Sequence, residues 1–365
     1  MKFSGLLYLA TLASAASVDL SKRDSPLDIK IEKVGNTVIK ASITNTGASD
    51  LKVLKTGSIL DELEVEKSEI FSGSKKVEFD GVRLQLDTTA LSEESFQVLV
   101  AGETVELTWD VAHVHDLSAG GEFDISANGR FSYAESDSTE LTGVATYASN
   151  VVHSTVDGEE AAKVRRDFHE TIKRAVVQSD CTGTRRTATI NALSNCRSLA
   201  LAAASAASSG AAAKMTDFFK SSTTATRNTV AGVFNRIASE CGSSTGGVSR
   251  QYCTDIYPAC SSGVIAYTLP SQSYMVNCPY YFSSFPAQSR TCRAIDQATT
   301  TLHEVTHLTQ IRGTQDYNCY GYSCVRSLSA SQNINHADTY TLFAQCKCRL
   351  LLYGSVVVIR KLTRF

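Results

Sequence analysis

His303, Glu304 and His307 form an H-E-x-x-H pentapeptide, His303-Glu304-Val305-Thr306-His307, and its spacing has a chemical meaning. Residues four apart on a helix lie one turn apart on one face, so both imidazoles reach a single metal ion. The glutamate between them then stands beside that ion, placed to take a proton from a bound water. A hydrolytic Zn²⁺ takes three protein ligands and keeps one position open, so a third ligand is required. No glutamate follows His307, which excludes a downstream Glu. The extended pattern H-E-x-x-H-x-x-G-x-x-H also fails, because Gln310 and Gly313 stand where Gly and His are needed. Asp316, Asp338 and His336 remain. Asp316 follows Gly313, a residue type that ends a helix in a left-handed cap and lets the chain turn back toward the metal. A carboxylate oxygen there completes an N,N,O set suited to Zn²⁺.

These residues resemble a known family. His303-Glu304-x-x-His307, followed by Gly313-Thr314-x-Asp316 and Tyr320-Gly321, is similar to the deuterolysins, the fungal aspzincin metalloendopeptidases. Their pattern is H-E-x-x-H, then G-T-x-D-x-x-Y-G; here three residues, not two, separate Asp316 from Tyr320. The likeness continues through Leu328-Ser329-Ala330 and residues 335–340, and into the N-terminal half. It implies a secreted zinc endopeptidase made as a zymogen and acting on protein or peptide substrates, basic proteins among them. His303, His307 and Asp316 would hold one Zn²⁺ per catalytic domain, and Glu304 would be the general base. The tetrahedral oxyanion needs a second donor, for which the Tyr320 hydroxyl is the candidate, with Tyr317 or Tyr322 as replacements. Asp338 either orients a zinc-bound histidine or caps its own helix.

Positioning such a site takes a folded catalytic half, and the 365 residues divide into two halves. Residues 1–174 carry 18 Lys+Arg against 29 Asp+Glu; residues 175–365 carry 17 against 8. Balances of −11 and +9 suggest halves that dock on each other. All eleven cysteines lie from Cys181 to Cys348, which reads as a disulfide-stapled secreted domain attached to a thiol-free one. Lys2, the apolar run of residues 6–12 and small residues 13–16 read as a signal peptide, residues 1–16. No segment reaches membrane-spanning length, and nothing points to nucleic acid; the chain reads as a monomer.

Residues 17–174 form the expected pro-region, an acidic β-sandwich that doubles as an intramolecular inhibitor. Alternating runs at 28–34, 77–79, 96–100 and 105–111, separated by turn residues, predict its strands. His113 and His115 alternate on one such run and read as structural or solvated. Residues 157–174 read as a charged helix or linker that ends in Lys173-Arg174, a processing site. From Ala175 onward the pattern is that of a mostly helical α+β, zincin-like domain. Predicted helices cover residues 188–206, buried because of their low charge, then 225–239, the zinc helix 294–310 and a last helix 335–345 behind it. Short strands are read at 264–269 and 274–277, and the family resemblance implies a sheet edge beside the site that pairs with extended substrate.

The family resemblance implies the disulfides Cys181–Cys253 and Cys260–Cys278, with Cys292 joined to a cysteine near the chain end. Cys346 or Cys348 would serve, because the tail of residues 346–365 departs from the family pattern. Cys319 lies close enough to Cys324 to bridge, and Cys196 with Cys241 is a further pairing. That tail leaves a catalytically inactive homologue as one rival reading; a secreted β-sandwich binding protein is the other.

Overall fold

A computed structural model describes residues 25–170 and 177–346. The signal segment, Lys173, Arg174, Cys348 and the tail from residue 347 lie outside the described residues.

The N-terminal half is built from strands β1 (Leu27–Lys33), β2 (Val38–Asn45), β3 (Leu51–Leu54), β4 (Glu69–Ser72), β5 (Lys75–Lys76), β6 (Arg83–Leu86), β7 (Phe96–Leu99), β8 (Thr104–Asp110), β9 (Gly121–Ser126), β10 (Asn128–Ala134), β11 (Leu141–Ala148) and β12 (Val152–Val156). Helix α1 (Gly158–Glu170) follows. The order β1-β2-β8 makes one antiparallel sheet; β11-β10-β3-β7 and β12-β9-β4-β5 make two more. Strict alternation in β1 and β2 puts Ile29, Ile31, Ile39, Ala41 and Ile43 on one face. They meet Trp109, Phe123, Ile125 and Phe131 in a single apolar cluster. Residues 77–79 do not form the expected strand; Phe79 makes only an isolated bridge to His115.

The C-terminal half holds α2 (Gly183–Ser209), α3 (Ala212–Phe219), α4 (Thr224–Cys241), β13 (Arg250–Tyr252), β14 (Val264–Leu269), β15 (Tyr274–Asn277), α5 (Pro279–Ser284), α6 (Gln297–His307), α7 (Gly321–Ser327), α8 (Ala330–Asn333) and α9 (Ala337–Gln345). Helices and strands together make a mixed α+β architecture. Ala200, Ala203, Ala204 and Ala207 let α2 lie against α4, with Cys196 bonded to Cys241 between them. Helix α2 is not wholly buried as its low charge suggested. Only one stripe faces the core, and Leu201 on the far side is 49% exposed. Alanine and serine carry too little apolar surface to demand burial all round.

Disulfides join Cys181 to Cys253, Cys260 to Cys278, Cys292 to Cys346 and Cys319 to Cys324. The Cys292–Cys346 bond ties the loop before α6 to the end of α9. The two halves are not separate in the sheet that flanks the site. Its order is β13-β15-β14-β6, so a strand from the N-terminal half forms its edge.

Candidate metal centre

Helix α6 starts at a capping box. Asp296 Oδ1 accepts from the Thr299 amide at 2.7 Å, and the Thr299 hydroxyl accepts from the Asp296 amide at 3.0 Å. Every residue from Gln297 to His307 is buried. Ala298, Leu302 and Val305 are fully enclosed, and Leu302 and Val305 join the main helical core. The opposite face carries His303, Glu304 and His307, so the i, i+4 pair points into the interior rather than to solvent.

The helix stops directly after His307. The amides of Ile311, Arg312 and Gly313 all donate to the Leu308 carbonyl. Gly313 has φ +63°, a left-handed conformation that glycine adopts without penalty. The chain then doubles back. Thr314 N donates to Thr306 O at 3.2 Å, Gln315 N to Asn335 O at 2.9 Å, and Ala337 N to Gln315 O at 3.1 Å. Pinned on both sides, the loop delivers Asp316 to the two imidazoles. Its Oδ1 lies 3.2 Å from His303 Nε2 and its Oδ2 3.5 Å from His307 Nε2. One potential ligand atom from each residue falls within 4.8 Å of the others.

The second nitrogen of each ring is held. His307 Nδ1 sits 2.9 Å from the Thr314 carbonyl, which can only accept, so Nδ1 carries the hydrogen and Nε2 faces Asp316 as a lone pair. His303 Nδ1 lies 3.0 Å from Asp338 Oδ1, while Asp338 Oδ2 accepts from the Gly321 amide at 2.6 Å. Asp338 therefore orients His303 and also caps the start of α7. Thr268 on β14 donates to Glu304 Oε2 at 2.6 Å.

Four buried atoms here have no hydrogen-bond partner: His303 Nε2, His307 Nε2, Asp316 Oδ1 and Glu304 Oε1. Unpaired buried acceptors are costly, and a cation coordinated between them removes that cost. Two imidazole nitrogens and a carboxylate form a donor set for Zn²⁺. Electrostatics follow the same geometry. Burial lowers His307 to about 3, against the pull of Asp316. Burial also opposes charge on His303, but Asp316 and Asp338, on its two nitrogens, outweigh it and raise its pKa well above the usual imidazole value. Asp316 is buried too, yet His307 and His303 hold it below the ordinary carboxylate range. Burial pushes Glu304 up to about 8. A neighbouring divalent ion reverses that preference and favours the carboxylate.

The remaining candidates separate cleanly. His336 is not free to ligate: Nδ1 meets Thr339 Oγ1 and Nε2 meets the Cys319 carbonyl, both at 3.0 Å. Tyr322 donates to Asp217 at 2.7 Å, and Tyr317 packs on the His336 ring. Tyr320 is half-buried, its hydroxyl pKa raised by desolvation and by the charges of Asp316, Asp338 and Glu304, and that hydroxyl donates to the Leu84 carbonyl at 3.1 Å. His113 pairs with Glu64 at 2.7 Å and His115 Nδ1 lies 3.2 Å from the Glu78 carbonyl, so both are structural. Sequence reasoning missed Thr268, which lies 36 residues before Glu304 and belongs to no local pattern.

Two histidines and an aspartate converging in the interior, with a buried glutamate on the same helix, are the arrangement of a metal-dependent hydrolase. The chain matches the deuterolysin metalloprotease (M35) family over residues 1–351, and it belongs to that family: it is a zinc metalloendopeptidase. A neutral protease 2 homolog of Colletotrichum graminicola is 62% identical over 347 residues, covering 94% of this chain and 98% of the relative. A neutral protease 2 homolog of Pyricularia oryzae is 59% identical over 337 residues, covering 92% and 95%. A solved zinc peptidase from Grifola frondosa aligns with 45% of this chain and 96% of its own at 22% identity, with a TM-score of 0.39. Among the described residues no helix is long and apolar enough to cross a membrane.

Proposed function

We propose that this metallopeptidase is secreted as a zymogen, loses residues 1–16 as a signal peptide, and is activated by cleavage after Arg174. The acidic pro-region, residues 17–174, then acts as an intramolecular inhibitor of the catalytic domain, residues 175–365. His303, His307 and Asp316 hold one zinc. When bound, zinc polarises a substrate carbonyl and lowers the pKa of a coordinated water to about 7. The chain's own residues do the rest. Thr268 fixes one oxygen of Glu304, and the other, Oε1, is buried with no partner and free to accept a proton. Asp338 and Thr314 keep both rings in the orientation that presents Nε2. The Tyr320 hydroxyl donates to the oxygen of the attacked carbonyl, a role supported by its present bond to a main-chain carbonyl.

The observation that carries this reading is the convergence of His303, His307 and Asp316, whose ligand atoms lie within 4.8 Å of one another and include buried atoms with no hydrogen-bond partner. Glu304→Gln tests it. The amide keeps the shape and all three ligands but cannot take a proton. Zinc content should stay at one per chain while hydrolysis falls by roughly a hundredfold or more. Activity within about tenfold of wild type would remove Glu304 from its role as base.

A further inference from the structure

The sheet beside the metal site does not end in a free edge. Strand β14 runs antiparallel to β6, with Val264 opposite Leu86, Ala266 opposite Gln85, Tyr267 opposite Leu84 and Thr268 opposite Arg83. That register sets β6 directly over the chemistry. Thr268, opposite Arg83, is the residue whose hydroxyl holds Glu304. The next carbonyl along, that of Leu84, accepts the Tyr320 hydroxyl. The seam extends beyond the strand: Asp87 N donates to Gly263 O at 2.8 Å, and Tyr280 donates to the Asp87 carboxylate at 2.8 Å. Leu84 and Leu86 are both 2% exposed and sit in one apolar cluster with Tyr267, Val276 and Tyr320. Arg83 is fixed from the other side, bonded to Glu66 at 2.5 Å and stacked over the Phe79 ring. A cavity of about 680 Å³ continues along β6 and reaches Asp316.

We propose that residues 83–86 are a built-in pseudosubstrate. They pair with β14 as an extended substrate would, and the Leu84 carbonyl takes the position of the scissile carbonyl at Tyr320. This rests on the peptidase reading above and names the means by which the pro-region closes that site. Main-chain pairing on a sheet edge is indifferent to side-chain identity, so the edge that β6 covers also suits varied extended peptides once β6 leaves. The seam is backbone and apolar contact, so closure does not depend on attraction between the acidic and basic halves. A purely structural brace would need no carbonyl on Tyr320, nor a ladder that ends on Thr268, the residue that holds Glu304.

The test uses the full-length, uncut, zinc-loaded chain and the same chain cut after Arg174 with its pro-region removed. Hydrogen exchange over residues 264–269 should be slow in the uncut chain and rise by about tenfold or more on release. Cleavage of a short quenched peptide should rise with it. Leu84→Pro removes an amide and breaks the edge strand, so the uncut variant should show both changes, with hydrolysis up by about tenfold or more. Three results would overturn the proposal. One is exchange over 264–269 that is unchanged on release. Another is activity that appears while that exchange stays slow. The third is a Leu84→Pro chain with a freed edge and no gain, although the cut chain is active. If Leu84→Pro does not fold, the first two comparisons still decide. An inactive cut chain would instead count against the peptidase reading, and exchange would still report whether β6 covers β14.

Discussion

Removing Asp338 should weaken zinc binding although Asp338 is not a ligand. Its carboxylate spans two partners, His303 Nδ1 at 3.0 Å and the Gly321 amide at 2.6 Å, and the residue is 8% exposed. In Asp338→Ala the His303 ring loses the acceptor that fixes its orientation and its lone pair. Such losses lower metal affinity about 10- to 100-fold, or roughly 1.4–2.7 kcal/mol. The Gly321 amide loses its partner as well, which costs roughly 1–3 kcal/mol of folding stability. Asp338→Asn keeps one acceptor oxygen but turns an NH₂ toward one of two donors, so it should fall between wild type and alanine on both scales. Zinc affinity is measured by competition with a chromophoric chelator, and stability by thermal unfolding of the zinc-free protein. Zinc affinity within about twofold of wild type, beside a clear loss of stability, would reduce Asp338 to a helix cap and refute the reasoning.

Other perturbations separate the remaining roles. Asp316→Ala should abolish both stoichiometric zinc and hydrolysis; metal analysis showing full occupancy would exclude it as a ligand. Thr268→Val leaves the ligands intact but frees Glu304 Oε2, so kcat should drop about tenfold while zinc content is unchanged. An unaltered kcat would show that Glu304 needs no such tether. In the N-terminal half, burial lowers His115 to about 4. The folded chain then binds fewer protons than the unfolded one below pH 6.5. The contribution of His115 is complete above that pH and is lost as pH falls toward 4, by roughly 3 kcal/mol. His115→Gln should lack this acid loss, so the gap between its melting curve and that of wild type should change between pH 6.5 and 4. A pH-independent gap would contradict the burial argument.

The grouping of His303, His307 and Asp316 was legible because its spacing rules are local. An i, i+4 histidine pair on a helix is a statement about 3.6 residues per turn, and Gly313 announces the turn that returns Asp316. The roles left open in the sequence depended on distance. Asp338 lies 35 residues from His303, and only the fold shows that it touches both that ring and Gly321. The loop before Tyr320 is one residue longer than the family pattern, and within it Tyr317 and Asn318 take φ +54° and +46°. The short strands at 264–269 and 274–277 were readable in the sequence, as was the alternation in β1. The edge was not. Nothing in Arg83-Leu84-Gln85-Leu86 marks it for a sheet 180 residues downstream, because pairing is a property of backbone and register rather than of side-chain pattern. The opposite charges of the two halves pointed to docking, yet the contacts nearest the site are main-chain pairing and hydroxyl bonds.

The most direct test of the central claim is metal content measured together with peptide hydrolysis on one preparation cut after Arg174. The account predicts one zinc per chain, activity that disappears as a chelator removes it, and recovery in proportion to zinc restored. His303→Ala and His307→Ala should each prevent that recovery. Hydrolysis that persists in the metal-free protein, or full zinc binding in either histidine variant, would contradict it.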